Sequence, residues 1–100
     1  MTKFQTKVLE ALRKIPKGKV VTYADLARYV GSPRAVRAVG TAVGKNPHLL
    51  IVPCHRVVRS DGSVGIYAKG SKKKIQLLLK ENVRVIGNKI DLKKYRYNLR

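Results

Sequence analysis

The only cysteine in this 100-residue chain, Cys54, stands in the run Ile51-Val-Pro-Cys-His-Arg-Val-Val58 and is followed directly by His55. A thiolate is a strong nucleophile, and an imidazole within reach can take the thiol proton. Arg56 and Arg59 are close in sequence. Cationic neighbours lower a thiol pKa from about 8.5 to roughly 3.5–7.5. Most lone cysteines are inert, buried small hydrophobes, so the partnership with His55 is what makes Cys54 a candidate. Neighbours on a strand face opposite ways, and a tight turn at Pro53 is what could bring imidazole and sulfur together. A carboxylate that orients the imidazole would complete the relay. The chain has five acids. Asp25 reads as part of a helix cap and Asp61 as part of a turn, which leaves Glu81 and Asp91 as the prime candidates.

Charge sets the partner class. There are 23 Lys and Arg against 5 Asp and Glu, a net charge of +18 and a pI near 10.7. So large an imbalance repels itself unless a polyanion is near, and nucleic acid is the expected partner. One Cys and two His, His48 and His55, fall short of a structural zinc set. No metal and no cofactor is expected. One Cys forms no internal disulfide. No run of about 18 apolar residues exists, so no membrane partner is expected.

The elements that must position Cys54 are mainly helical. Phe4, Val8, Ala11, Leu12 and Ile15 recur at helical spacing and predict a helix over 4–15, ended by Pro16 and Gly18. Val20-Val21 predicts a short strand. Thr22 and Asp25 form a capping-box pattern for a helix over 23–30, closed by Gly31. Ser32-Pro33 predicts a second start, with Pro at the first helical position and Ala35, Val36, Val39, Ala42 and Val43 inward to about Gly44. Residues 22–44 thus read as a helix-turn-helix, with Arg34 and Arg37 outward on the recognition helix. Gly40, Ala42 and Gly44 suit close approach of either DNA or a neighbouring helix. Lys45-Asn46-Pro47 predicts a turn and 49–52 a buried apolar run. Asp61-Gly62 predicts a hairpin pairing 57–59 with 63–66. Residues 65–70 read as a glycine-punctuated loop. Ser71 is expected to cap a helix with Ile75, Leu78 and Leu79 inward and Lys72, Lys73, Lys74 and Lys80 outward. Gly87-Asn88 predicts a hairpin of 83–86 with 89–92, followed by a basic tail over 93–100. The fold class is mainly α with small β hairpins, a winged helix-turn-helix-like DNA-binding domain. One domain is expected over 1–100.

Pro53-Cys-His-Arg-Val57 resembles the active-site motif of the O6-alkylguanine-DNA alkyltransferases. Val21-Thr-Tyr-Ala-Asp-Leu-Ala27 is similar to the family's first motif helix, and Pro33-Arg-Ala-Val-Arg-Ala-Val-Gly40 to its recognition helix. Lys45-Asn-Pro47 resembles its asparagine hinge, and Gly62-Ser-Val-Gly-Ile-Tyr-Ala-Lys-Gly70 its active-site loop. The resemblance covers residues 4–81, with weaker similarity to Tyr95. It implies irreversible transfer of an alkyl group from O6-alkylguanine to Cys54, once per molecule, after the nucleotide has been flipped out of the duplex. His55 would deprotonate Cys54 through a water, Glu81 would hold the other imidazole nitrogen, and Asn46 would brace the turn. Tyr23 would press on the target phosphate and help protonate the departing guanine. Arg37 would fill the gap in the base stack. Ala38, Gly40 and Thr41 would lie against the minor groove of double-stranded DNA. Gly65, Tyr67 and Ala68 would close over the base. Arg34, Arg56 and Lys74 are further expected DNA contacts, with Lys72, Lys73 and Lys74 on phosphates.

Larger members of that family carry an N-terminal domain, which this chain is expected to lack. Ile66 and Ala68 stand where some members have polar side chains, notably Ser at position 68. One lost side-chain hydrogen bond is worth about 0.5–1.5 kcal/mol, so altered base discrimination is expected. The alternative is an alkyltransferase-like protein, which shares this domain, usually has Trp in place of Cys54, and signals lesions to excision repair without transfer. A third reading is a winged-helix regulator with an incidental cysteine. A monomer is expected, cytoplasmic and nucleoid-associated, or nuclear in a eukaryote.

Overall fold

The computed structural model describes residues 2–45, 53–65 and 70–99. Helix α1 spans Lys3–Leu12 and buries Val8, Leu9, Ala11 and Leu12. Its start is set by Thr2, whose hydroxyl accepts from the Gln5 amide while Gln5 returns the bond. The sequence reading missed this capping box. The helix ends three residues earlier than expected. Residues 13–15 continue as tight i→i−3 turns and still bury Ile15, because the approach to Pro16 unwinds the last turn.

Strand β1 (Val21–Thr22) feeds directly into α2 (Tyr23–Tyr29). The expected capping box is present: Thr22 Oγ1 accepts from the Asp25 amide, and Asp25 Oδ2 accepts from the Thr22 amide, each at 3.0 Å. Such a cap contributes about 1 kcal/mol. Gly31 ends the helix at φ +82°, where a Cβ is disfavoured.

Helix α3 spans Val36–Gly44, a later start than the Ser32-Pro33 signal implied. The Ala35 amide bonds to Ser32 O at 2.8 Å. Pro33 therefore occupies the second position of a β-turn, which its fixed φ suits as well as a helix start. Ala35 is consequently half-buried and Val36 exposed rather than inward, while Val39, Ala42 and Val43 are buried as expected. Helix α3 packs on α1 and α2 around Leu12, Leu26, Ala27 and Val39. The three helices make the mostly helical, helix-turn-helix body.

The β contacts differ from the expected pairing. Strand β2 (Val57–Val58) pairs parallel with β1, Val21 against Val57 and Thr22 against Val58. It does not form a ladder with 63–65, and Ile66 lies outside the described residues. Instead the Asp61-Gly62 turn is closed by an Arg59–Ser63 bond, and 62–64 bonds to 88–90: Val64 N to Asn88 O and Ile90 N to Gly62 O, both 2.9 Å. The Gly87-Asn88 turn forms as expected, both residues at positive φ, but the expected hairpin of 83–86 with 89–92 is reduced to the single Ile86–Lys89 bridge, because Asp91 caps a helix that starts at Leu92. The buried, apolar Val57 and Val58 gain more against the core strand β1 than along a solvent-facing hairpin.

Helix α4 (Ser71–Lys80) has Gly70, not Ser71, at its cap position. Leu78 is buried, Ile75 half-buried and Leu79 half-exposed. Lys74, expected outward, is fully buried. The tail packs back on the domain: α5 (Leu92–Tyr95) is capped by Asp91, and Val20 exchanges bonds with Tyr95 and Tyr97. Arg96 then pairs with Asp25 at 2.5 Å.

Candidate active site and DNA-facing surface

Pro53 leads into a single 3-10 turn, Cys54–Arg56, closed by the Arg56 amide on Pro53 O at 3.0 Å. This is the tight turn that the adjacent Cys and His required. Parallel pairing of β2 with β1 then carries the turn beside the start of α2. Cys54 is buried at 3 % exposure. It nonetheless lines a cavity of about 690 Å³ together with Tyr23, Arg37, Gly40, Thr41 and Arg59.

Behind the turn, His55 Nε2 lies 3.1 Å from Glu81 Oε1. The ring N–H is not well aimed at that oxygen, and among the described residues neither imidazole nitrogen has a well-aligned hydrogen-bond partner. The contact is an electrostatic one at close range. Burial holds the His55 pKa below its ordinary value, outweighing the opposite pull of Glu81, so the imidazole is neutral at pH 7. Burial alone would raise the Glu81 pKa. Bonds from Arg56 and the close contact with His55 more than offset this and hold it below the usual carboxylate range.

Arg56 forms the back of the site. Its Nε and Nη2 donate to the two oxygens of Glu81 at 2.9 and 2.5 Å, and its Nη1 donates to Ile15 O at 2.7 Å. The expected DNA contact by Arg56 is thus corrected: a bidentate carboxylate and a backbone carbonyl hold the guanidinium inside. Asp91, the other free acid considered, caps α5.

Lys74 is likewise corrected. No phosphate can reach a fully buried ammonium. Nζ lies 5.9 Å from the Tyr23 ring centroid. Burial lowers its pKa to about 8, with attraction to Cys54 opposing and repulsion from Arg59 assisting the shift. Sequence reasoning missed this cation beside the nucleophile. The one available signal was its place in the i, i+4 row with Leu78 on an otherwise basic helix. Lys72 and Lys73 are exposed, as expected.

Tyr23 stands at the first position of α2 and forms part of the cavity wall. Burial, with Cys54 nearby, raises its pKa, so its hydroxyl stays protonated. Gly65, at φ +74°, faces Tyr23, with its Cβ direction ending 3.6 Å from the hydroxyl. Arg34, Arg37, Ala38 and Thr41 are exposed along α3 and the turn before it. Gly40 and Gly44 have no neighbouring atom within 4 Å of a built Cβ. Packing within the described residues therefore does not require them to be small, and they leave an open face beside the cavity. Asn46, His48, the 49–52 run, Ile66, Tyr67 and Ala68 lie outside the described residues. No helix among the described residues is long and apolar enough to cross a membrane.

Fold and site together define a helix-turn-helix domain with a cysteine in the wall of a cavity, followed in the chain by a histidine that lies against a carboxylate. The chain belongs to the family described as 6-O-methylguanine DNA methyltransferase, DNA binding domain, whose model matches residues 3–83. It is 50 % identical over 80 residues to the Escherichia coli bifunctional transcriptional activator/DNA repair enzyme Ada, covering 80 % of this chain and 23 % of Ada. It is 49 % identical over 80 residues to a Salmonella typhimurium methylated-DNA–protein-cysteine methyltransferase, covering 80 % of this chain and 47 % of that protein. The chain thus spans about a quarter to a half of these relatives. Among solved structures, S. pombe Atl1 in complex with damaged DNA containing O6-carboxymethylguanine superposes with TM-score 0.88 at 36 % identity, covering 97 % of this chain and 96 % of Atl1. Mycobacterium tuberculosis OGT in complex with DNA gives 0.80 at 44 %, covering 82 % and 50 %.

Proposed function

We propose that this protein repairs O6-alkylguanine in double-stranded DNA by moving the alkyl group irreversibly to Cys54. The observation that carries the reading is the arrangement of Cys54, His55 and Glu81: a cysteine in the wall of an open cavity, an imidazole on the next residue of the same turn, and a carboxylate 3.1 Å from that imidazole. His55 Nδ1, turned from Glu81, accepts the thiol proton through a water. The Cys54 sulfur attacks the alkyl carbon in line. A C–S bond forms, the C–O6 bond breaks, and its electron pair leaves with guanine. Tyr23, held protonated, supplies the proton that the departing base takes up. The thioether does not hydrolyse, so each molecule acts once.

The alkyl carbon is out of reach inside a duplex, so the nucleotide must be flipped, at a cost of a few kcal/mol. Arg37 at the cavity mouth fills the space left behind. The +18 charge supplies sequence-independent phosphate affinity. Arg34, Ala38, Gly40 and Thr41 form the minor-groove face, and Gly65 borders the base. We place the whole activity on residues 1–100 as one domain.

A second reading is favoured by the fit to Atl1: a lesion-binding protein that leaves the alkyl group in place. Mass measurement after incubation with a duplex carrying O6-methylguanine separates them. Transfer gives a gain of one methyl group that is absent in Cys54→Ala. Tight binding with no gain rejects transfer.

A further inference from the structure

Arg59 takes no part in the transfer proposed above. It follows β2 directly and lines the same cavity as Cys54, Tyr23 and Arg37. Its stem crosses Gly65, with Cγ 3.5 Å from the Cβ direction of that glycine, at the place where the Tyr23 hydroxyl is 3.6 Å away. Gly65 thus lies in ordinary packing distance of both groups. Among the described residues the Arg59 guanidinium makes no ion pair, whereas Arg56, Arg28 and Arg96 each hold a carboxylate. No acidic side chain is among those lining the cavity. Glu81 and Asp25, the buried acids, are bonded to arginines elsewhere. Asp61, exposed and bonded to Ser63, feels the Arg59 charge from outside the cavity. The cavity wall thus presents a cation with five donors and no acid in the wall itself, set beside the tyrosine that faces the target nucleotide.

Resting on the reading above, we propose that Arg59 is a specificity-determining residue that selects O6-alkyl groups bearing a carboxylate over neutral groups of the same shape. The cavity must accept an alkyl group whose carbon reaches the Cys54 sulfur. A substituent extending from that carbon toward the mouth meets the wall that Arg59 forms. A planar guanidinium pairs with a carboxylate through two parallel bonds, which a carboxamide of equal size cannot match.

The test compares duplexes carrying O6-carboxymethylguanine and O6-carbamoylmethylguanine, which differ in charge and barely in shape. Affinity and transfer rate are measured for the native protein, Arg59→Gln, Arg59→Lys and Arg84→Gln. Arg84 is an exposed arginine outside the cavity, so Arg84→Gln matches the change in net charge. A charge-assisted pair predicts a preference of roughly tenfold or more for the carboxylate adduct. The preference falls to near parity in Arg59→Gln, is partly kept in Arg59→Lys and is unchanged in Arg84→Gln. A preference that survives Arg59→Gln, or equal losses for both adducts, overturns the proposal. Binding affinities decide it even if no transfer occurs, and transfer from O6-methylguanine, which lacks the carboxylate, reports separately on the repair reading.

Discussion

The ammonium of Lys74, fully buried on α4, lies 5.9 Å from the ring centroid of Tyr23 at the start of α2. The two residues frame Cys54 from different helices, and both are electrostatically coupled to it. A buried cation disfavours its own charge and favours a nearby anion. Lys74 therefore stabilises the Cys54 thiolate at the expense of the fold.

Lys74→Met tests both sides of that relationship. The Lys74 pKa is about 8 in the folded chain against an ordinary 10.5. The unfolded chain binds more protons between those values, so native stability rises with pH across that window. Below pH 8 both states are protonated and the full cost is present, on the order of 3 kcal/mol. Lys74→Met is expected to remove the rise in urea-melt stability between pH 8 and 10.5. The pH profile of iodoacetamide labelling at Cys54 should move upward. An unshifted labelling profile would show that Lys74 does not act on the sulfur.

Acid stability follows from His55, Glu81 and Asp25. All three have folded pKa values below their ordinary ones. Their stabilisation is complete above the unfolded values and is lost as pH falls through the folded ones. The His55 contribution fades first, below 6.5, and the carboxylates follow below about 4.5. Thermal melts from pH 7.5 to 3 should show a monotonic fall in two stages. In Glu81→Gln the carboxylate stage should shrink.

Glu81→Gln also breaks the pair with Arg56 while nearly keeping its volume. Removing one partner of a buried ion pair costs about 3–5 kcal/mol. The loss should appear as a lower urea midpoint with an unchanged m-value. Double replacement of Arg56 by Met and Glu81 by Gln should recover part of that loss, because no uncompensated charge then remains.

Arg37→Ala separates flipping from simple attraction. Affinity for undamaged duplex should fall no more than about threefold, while alkyl transfer falls roughly tenfold or more, because unstacking costs a few kcal/mol. Equal reductions in the two measurements would assign Arg37 to the phosphate backbone.

Gly62→Ala should destabilise the chain by about 1–3 kcal/mol. The position has φ +88°, and an added Cβ would sit 2.7 Å from Ile90 O. Circular-dichroism melts will check the size of the effect.

What could be read from the sequence was local. Thr22 with Asp25, Gly31 and the Gly87-Asn88 turn each involve neighbours within a few residues, where spacing determines geometry. Glu81 was narrowed down because acids are so few. The rest depended on distant partners. Nothing near Val57 names Val21 as its neighbour, and a two-residue turn nearby favoured the wrong partner. Lys72, Lys73 and Lys74 are one residue type in a row. Only the three-dimensional packing of α4 against the Cys54 turn selects the third for burial. Arg56 carried the same ambiguity: a guanidinium suits a phosphate and a carboxylate alike.

The parallel pairing of Val21 with Val57 and Thr22 with Val58 also governs the order of assembly. These partners are 36 positions apart (57 − 21), and both helices of the helix-turn-helix lie between them. Such a closure is entropically unfavourable until the intervening chain has condensed. The cavity wall around Cys54 is therefore among the last features to form. A half-folded chain holds a thiol but not a reactive site, so the rate of Cys54 labelling during refolding serves as a clock for the final step.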